Sequence, residues 1–241
     1  MERLQKKLKN FLVFVVVFAV VYMMLPDFQR IQQTSGLPLS GATIAIDPGH
    51  GGVDGGAVSK SGIVEKDIAL EISFKVRDYL QQAGAFVIMT RDGDYDLAAE
   101  DTKGYSRRKT EDLHKRADVV NQSQAQLLVS VHLNSTPSSR WSGAQCFYFA
   151  GNEDGKLLAG KIQEQLIDFT GKTDRVPLPD NRIYLLKRVD VPAVTVEIGF
   201  LSNPEEAELM TQDDYQKRLA HAIYLGIAQY LAEISSGETG D

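Results

Sequence analysis

Four residues able to carry out acid–base or metal chemistry stand where polar side chains are uncommon. His50 lies just beyond an apolar run, His132 and Glu197 each end one, and Glu65 begins a segment of helical periodicity. The imidazoles of His50 and His132 and the carboxylate of Glu65 make up the ligand set of a catalytic zinc site, whose fourth position stays open for water. Glu197 is then a free carboxylate able to take a proton from that water. This grouping predicts metal-dependent hydrolysis.

Each of these residues also has an ordinary structural explanation. A lone histidine on a strand is most often a hydrogen-bonded core residue, and Glu65 alone is typical of an exposed first-turn acid favoured by the helix dipole. Its position in line with Ile68 and Ile72 instead turns its carboxylate towards a buried stripe, where it needs a charge partner. The spacing, with 14 residues between His50 and Glu65 and 66 between Glu65 and His132, matches no short metalloprotease motif. The residues alone therefore leave a metal site and structural roles open.

Glycines are concentrated around His50, and seven of the 20 lie between Gly41 and Gly62. Such a loop brings the backbone close to a ligand and allows positive φ angles. A phosphate cradle needs a Gly-Lys-Ser/Thr sequence or the dinucleotide glycine spacing, and neither follows here. We therefore expect the loop to hold His50 at a strand end and not to bind a nucleotide.

The remaining candidates indicate structural roles. His114 stands in a polar helical stretch and is predicted to be a surface residue, whereas the apolar neighbours of His221 predict a packing role. Cys146 is predicted to be a buried strand thiol, because nothing around it is typical of an activated nucleophile. For Arg91 and Arg116 we expect ion pairs that anchor the fold, with substrate contact as the alternative.

The elements that must position these residues begin at Gly41. Short β-rich runs alternate there with longer helical runs, which indicates a single α/β domain with a mostly parallel or mixed central sheet flanked by helices on both faces. In such sheets ligands bind beyond the carboxyl ends of the strands, where the four residues fall. The predicted strands are 43–47, 86–90, 127–132, 146–149 and 193–198, and the predicted helices are 65–83, 108–122, 155–170 and 215–234.

Composition and charge exclude several classes of protein. The chain has 241 residues, 43% of them hydrophobic, and a single cysteine, so neither a disulfide scaffold nor a thiolate metal cluster fits. Its net charge of -6 is uneven. The first 40 residues carry five basic and two acidic groups, which leaves 21 basic and 30 acidic residues in the rest. This acidic body argues against binding to nucleic acid.

The N-terminus predicts a membrane anchor. Lys6, Lys7 and Lys9 precede an unbroken apolar run over 11–25, which Pro26 ends. No pair of small residues suitable for signal cleavage follows, so we expect an uncleaved transmembrane helix that places the body outside the cytoplasm, with a cleaved signal as the alternative. The predicted segments are 1–10 (cytoplasmic and basic), 11–26 (anchor), 27–40 (linker), 41–236 (catalytic domain) and 237–241 (polar tail).

Several segments of the body resemble those of a known family, the zinc-dependent N-acetylmuramoyl-L-alanine amidases of the amidase-3 type. The resemblance runs in order over about residues 41–236 and departs at Leu133, where the family commonly has alanine. Besides Glu65, the matching segments are 47–57 (DPGHGGVDGGA), 90–92 (TRD), 116–121 (RADVVN), 130–135 (SVHLNS) and 196–204 (VEIGFLSNP).

The resemblance implies a function for the four residues. It aligns His50, Glu65 and His132 with the zinc ligands and Glu197 with the catalytic glutamate. The expected reaction is hydrolysis of the amide between the lactyl group of N-acetylmuramic acid and L-alanine of the peptidoglycan stem peptide. A zinc peptidase of the stem peptide would use the same residues, and an inactive wall-binding module or a tethered interaction protein would need none of them.

A bare catalytic domain behind an anchor resembles the sporulation members of the family. These act in forming muramic-δ-lactam in spore cortex, which later marks cortex for germination enzymes. The resemblance thus implies a cortex role in the space between the membranes of the developing spore. A vegetative autolysin is the alternative. Peptidoglycan and the membrane are the expected partners, nucleic acid is not, and any activating protein is left open.

Overall fold

Six strands form one mixed sheet in the computed structural model, which describes residues 36–171 and 173–237 together with residues 5, 9, 11 and 13–15. The strands are β1 (Thr43–Pro48), β2 (Phe86–Met89), β3 (Leu127–Asn134), β4 (Gln145–Tyr148), β5 (Leu178–Pro179) and β6 (Ala193–Phe200). Their spatial order is β2-β1-β3-β6-β4-β5.

The carboxyl ends of three central strands meet at one edge of the sheet. Strand β3 pairs in parallel with β1 on one side and with β6 on the other, whereas β4 runs antiparallel to β6. Parallel neighbours end on the same side, so the residues just beyond β1, at the end of β3 and near the end of β6 lie together. This edge is where the predicted site residues fall.

Helices cover both faces of the sheet, as the alternating pattern predicts. The helices are α1 (Glu65–Gln82), α2 (Tyr105–Asn121), α3 (Glu153–Thr170), α4 (Tyr184–Arg188), α5 (Pro204–Leu209) and α6 (Asp213–Gly237). The larger core joins α1, α3 and α6 to one face, and the smaller core joins α2 and α4 to the other. Within α1, Ile68, Ile72, Val76 and Leu80 are all buried, as their four-residue spacing predicts.

All five predicted strands and four predicted helices are present, with ends shifted by at most three residues. The sheet is mixed, since β4 is antiparallel to β6. Strand β5 and helices α4 and α5 were not predicted. Strand β5 has two residues and α4 has five, too few to show a period. Helix α5 begins with an Asn203 cap and Pro204, a start signal that the sequence does contain.

The predicted anchor over 11–26 lies largely outside the described residues. Of that stretch the structure describes residues 11 and 13–15, which are helical. Within the described part of the chain, no helix has the length and apolar character needed to cross a membrane.

Candidate metal centre and active site

Three predicted ligands converge at the carboxyl edge of the sheet. One ligand atom from each of His50, Glu65 and His132 lies within 4.8 Å of the other two. The Oε1 atom of Glu65 is 3.1 Å from Nε2 of His50 and 3.1 Å from Nδ1 of His132. A loop after β1, the first residue of α1 and the end of β3 therefore direct two nitrogens and one oxygen at a common point.

The glycine-rich loop leaves room for this convergence. A Cβ on Gly49 would lie 2.4 Å from the His132 ring, and one on Gly56 would lie 2.5 Å from Glu65 Oε2. His50 itself has a φ of 61°, a left-handed conformation uncommon for a residue with a side chain. Holding it there requires support from outside the loop.

Two buried arginines supply that support. Arg91 donates from Nε to the carbonyl of Pro48 at 3.0 Å and from Nη2 to that of Gly49 at 2.8 Å. Arg116 donates from Nη1 to the same Pro48 carbonyl at 2.7 Å and from Nη2 to the carbonyl of His50. Successive carbonyls of the loop are thus fixed by guanidinium groups. The predicted ion pairing is confirmed for Arg116, which pairs with Asp47 and Asp112. For Arg91 it is wrong among the described residues, because this side chain anchors the fold through backbone carbonyls.

A buried carboxylate lies beneath this loop. Asp47 accepts hydrogen bonds from Thr90 and Ser130, each at 2.5 Å, and lies 2.8 Å from Nη1 of Arg116. Burial alone would raise the pKa of Asp47, but the Arg116 charge and the two hydroxyl donors together lower it to about 2. Asp112 pairs with Nε of the same arginine at 2.9 Å, yet burial raises its pKa. The arginine is therefore held between two unequal carboxylates.

Asp54 orients His50, a role that we did not predict from the sequence. Its Oδ2 lies 2.9 Å from Nδ1 of His50 and 2.9 Å from Nζ of Lys109. Its Oδ1 accepts from the Tyr105 hydroxyl at 2.9 Å and from the Gly56 amide at 3.1 Å. A carboxylate on one imidazole nitrogen fixes the ring and leaves the other nitrogen for a ligand. The signal was its position, four residues after the histidine.

Glu65 is held by the backbone as well as by the histidines. Its Oε2 accepts from the Ala57 amide at 2.8 Å, and its Oε1 accepts from the Leu133 amide at 2.9 Å. The residue is 4% exposed, so the exposed first-turn alternative is excluded. Burial would raise the pKa of Glu65, but hydrogen bonds with His132 and His50 hold it well below its ordinary value. The Leu133 side chain points into the core, away from the site.

Glu197 stands beside the three converging residues with an unused oxygen. It is the register partner of His132 across the β3–β6 pair, so the two side chains share a face of the sheet. Its Oε2 is buried and has no hydrogen-bond partner among the described residues. Burial raises the pKa of Glu197 to about 7, although the neighbouring His132 opposes the shift. A carboxyl group with this pKa exchanges protons readily near neutral pH.

Comparison with known proteins supplies the reaction. The sequence model of the Amidase_3 family, described as N-acetylmuramoyl-L-alanine amidase, matches residues 44–229. The chain belongs to this amidase family. The amidase is therefore a hydrolase that cuts the amide between N-acetylmuramic acid and L-alanine.

Relatives of known activity agree with this assignment. The amidase is 51% identical to the germination-specific N-acetylmuramoyl-L-alanine amidase of Bacillus subtilis, over 82% of its own chain and 83% of the relative. It superposes on the CwlD amidase of Clostridioides difficile, solved in complex with the GerS lipoprotein, with a TM-score of 0.78 at 40% identity, covering 80% of this chain and 99% of that one. The amidase LytC of B. subtilis is 32% identical over 80% of this chain and 36% of its own.

The converging residues of the amidase suit a divalent metal ion. Two imidazole nitrogens and a carboxylate oxygen are ligands that zinc prefers, and three protein ligands leave one position open. The carboxylates around His50 also favour a positive charge at this place. Burial would lower the pKa of His50, but Asp54 and Glu65 raise it to about 9.

The other predicted residues lie apart from this cluster. His114 is exposed, with its ring 5.2 Å from that of Tyr184. His221 packs among aromatic rings of the α1–α6 side, 5.2 Å from Tyr79 and 5.1 Å from Phe169. Cys146 is fully buried, and burial raises the pKa of its thiol far above the ordinary value. The predictions of a surface histidine, a packed histidine and a buried strand thiol are confirmed.

Proposed function

We propose that this amidase is a zinc enzyme in which His50, Glu65 and His132 hold the metal and Glu197 carries the proton. The observation that supports the proposal most directly is the convergence of three ligand atoms within 4.8 Å. Glu197 stands next to them across the strand pair. A bound zinc supplies Lewis acidity, which polarises the scissile carbonyl and lowers the pKa of water.

The protein's own groups carry out the remaining steps. Glu197 takes a proton from the attacking water and delivers it to the departing amine of L-alanine. Its unused buried oxygen and its pKa of about 7 suit a group that must accept and return a proton in one cycle. Asp54 holds the His50 ring through Nδ1, so Nε2 stays directed at the centre.

Metal analysis of the purified full-length chain tests the ligands. We expect about one zinc per chain, and we expect the His132→Ala variant to lose it while keeping the fold. The His114→Ala variant is a matched control, since it removes an exposed imidazole in α2 that is not part of the cluster. Stoichiometric zinc in His132→Ala would remove this residue from the proposed set.

Product analysis separates the amidase from a zinc peptidase with the same four residues. Mass spectrometry of digested peptidoglycan should show intact stem peptides that begin with L-alanine, and glycan strands that have lost them. Peptides cut within the stem would instead identify a peptidase. The two outcomes differ in mass and need no assumption about the metal.

For the biological role we propose maturation of spore cortex, including formation of muramic-δ-lactam, for later germination. The proposal draws on the B. subtilis relative, which is described as germination-specific. Deleting the gene should leave growth normal and give dormant spores that lack the lactam and fail to complete germination. Unchanged lactam together with chained growing cells would make the protein a vegetative autolysin.

We propose further that the N-terminal apolar run anchors the catalytic domain outside the cytoplasm. Three lysines precede that run, which favours a cytoplasmic N-terminus. Membrane fractions should yield a chain that begins at Met1 or Glu2, with a C-terminal reporter outside the cytoplasm. A mature chain that begins near residue 30 would show a cleaved signal instead.

We also propose that the amidase binds a lipoprotein. The C. difficile relative was solved in complex with the GerS lipoprotein. We expect a lipoprotein from the host of this amidase to co-purify with the tagged full-length chain. Recovery of the enzyme alone, in fully active form, would show that it acts without one.

A further inference from the structure

A row of polar side chains leads away from the catalytic centre across the sheet. His132 on β3 pairs with Glu197 on β6, and Glu197 pairs in turn with Gln145 on β4. Register partners direct their side chains to the same face, so the three form one row. Gln145 is 6% exposed, and its side chain continues the row to a further residue, Arg175, by a hydrogen bond.

Arg175 is placed at the far end of this row by contacts on two sides. Its Nη1 donates to Oε1 of Gln145 at 3.1 Å, directly opposite Glu197. Its guanidinium carbon lies 5.0 Å from the centre of the Phe200 ring, three residues further along β6. The same carbon lies 5.8 Å from the ring of Trp141, an exposed residue. The guanidinium group therefore ends the row, beside Gln145 on the strand next to that of Glu197.

Among the residues that the structure describes, the charge of Arg175 has no counter-ion. Its hydrogen bonds reach neutral acceptors, Gln145 Oε1 and the Ser142 carbonyl at 2.9 Å. Within the described part of the chain, no carboxylate lies within 4.0 Å of it. Arg175 is half-buried, and a partly desolvated charge is costly unless it is paired. By contrast, Arg116 lies between two carboxylates.

The row extends to the side of the centre on which the leaving group departs. Under the proposed function, Glu197 returns a proton to the departing amine of L-alanine, so the stem peptide leaves from the side of Glu197. Gln145 and Arg175 lie on that side, away from His132. The second residue of a peptidoglycan stem peptide is a γ-linked glutamate, whose α-carboxyl group is either free or amidated, and the free form adds a negative charge. The domain carries an excess of acidic residues, so such a peptide needs a local cation.

We propose that Arg175 is a specificity residue that binds the glutamyl α-carboxylate of the stem peptide. A guanidinium group pairs with a carboxylate through two parallel hydrogen bonds, which gives both affinity and orientation. Gln145 and the Phe200 ring hold the guanidinium in place for this contact. The enzyme therefore distinguishes stem peptides that carry a free carboxylate from those in which this group is amidated.

The test pairs two substrates with three variants of the full-length chain. The substrates are a muramyl tripeptide with a free glutamyl α-carboxylate and the same compound with an α-carboxamide. Wild-type enzyme should hydrolyse the carboxylate form with a kcat/KM about 10- to 100-fold higher, as expected for a charge-assisted contact. Arg175→Gln should remove most of that preference through KM, and Arg175→Lys should keep part of it. Arg140→Gln, which removes a charge from the same Trp141 ring, should keep all of it.

Each outcome bears on the inference. Equal rates on the two substrates with wild-type enzyme would overturn it, whatever the variants do. Equal losses on both substrates in Arg175→Gln would indicate a structural role, and loss of preference in Arg140→Gln would indicate a general charge effect. The inference rests on the proposed function, which is tested separately, because release of a stem peptide from either substrate by wild-type enzyme supports the amidase reaction. Thermal unfolding and zinc content of each variant exclude misfolding as the cause.

Discussion

The buried Asp47–Arg116 pair gives a prediction that links stability to the active site. Asp47→Asn removes one charge beneath the His50 loop and retains the size of the side chain. Of the charged partners that the structure describes, Arg116 then keeps Asp112 alone, and it still donates to the carbonyls of Pro48 and His50. The variant thus perturbs the group that holds the loop without touching a candidate ligand.

The magnitude follows from burial and from the pKa of Asp47. Leaving a buried charge with an incomplete partner costs about 3–5 kcal/mol. We expect the lower end, about 3 kcal/mol at pH 7, because Asp112 remains and asparagine can still accept a hydrogen bond. The lowering of the pKa from 3.8 to about 2 accounts for about 2 kcal/mol of this, at about 1.4 kcal/mol per pKa unit.

The pH dependence has a definite sign. The folded-state pKa of Asp47 is lowered, so its stabilising contribution is complete above about pH 5 and is lost as the pH falls towards 2. The difference in unfolding free energy between wild type and Asp47→Asn should therefore shrink by about 2 kcal/mol over that range. Urea unfolding with a chelator present measures it, because removing zinc excludes linkage to metal binding.

Asp112→Asn is the matched control on the same arginine. Burial raises the pKa of Asp112, so its ionised form gives no comparable gain at neutral pH. We expect a cost of about 1 kcal/mol, typical of one weakened hydrogen bond, and no shrinkage on acidification. Equal costs with equal pH profiles for the two variants would refute the assignment of Asp47 as the stabilising partner.

Further predictions concern the site and the core. Glu197→Gln should fold and bind zinc but lose about 10²–10⁴-fold in turnover, and loss of zinc together with activity would make Glu197 a ligand instead. Asp54→Asn should weaken zinc binding about 10- to 100-fold in a chelator competition assay, and unchanged affinity would contradict its orienting role. Gly226→Ala should lower stability by about 1–3 kcal/mol, because its Cβ would lie 2.5 Å from Cα of Ile162. Gly160→Ala, whose Cβ meets nothing within 4 Å, should not; the comparison is made by urea unfolding.

Much of the fold was predictable because its elements are long and regular. Strands β1, β3 and β6 are apolar runs buried on both faces, and α1 repeats its apolar residues at four-residue spacing. The ends of β3 and β6 were less predictable. Both continue two residues past their predicted ends, because Asn134 pairs with Phe200 after a register shift that follows His132. Such a pairing depends on two distant segments, and neither sequence shows it alone.

Part of the candidate site was likewise predictable from the sequence, and part was not. His50, Glu65, His132 and Glu197 stood out because polar side chains at the ends of apolar runs are conspicuous one residue at a time. Whether they are ligands stays a prediction. Arg91 and Arg116 were expected to anchor the fold, but the loop carbonyls that they bind could not be predicted, because these contacts join distant segments of the chain. Arg175 shows the same difficulty, since its contacts with Gln145 and Phe200 join segments that are far apart in the chain.

The contacts behind the candidate ligands indicate how the site is built. A divalent ion can organise flexible ligands, but here two of the three candidate ligands, His50 and Glu65, have protein support of their own. The loop of His50 is fixed by Arg91 and Arg116, and Glu65 is fixed by two backbone amides. These contacts involve the backbone and buried charges. The strained φ of His50 is therefore maintained by the buried side chains of Asp47, Arg91 and Arg116 beneath the loop. The geometry of the candidate site thus depends on the stability of the Asp47–Arg116 pair.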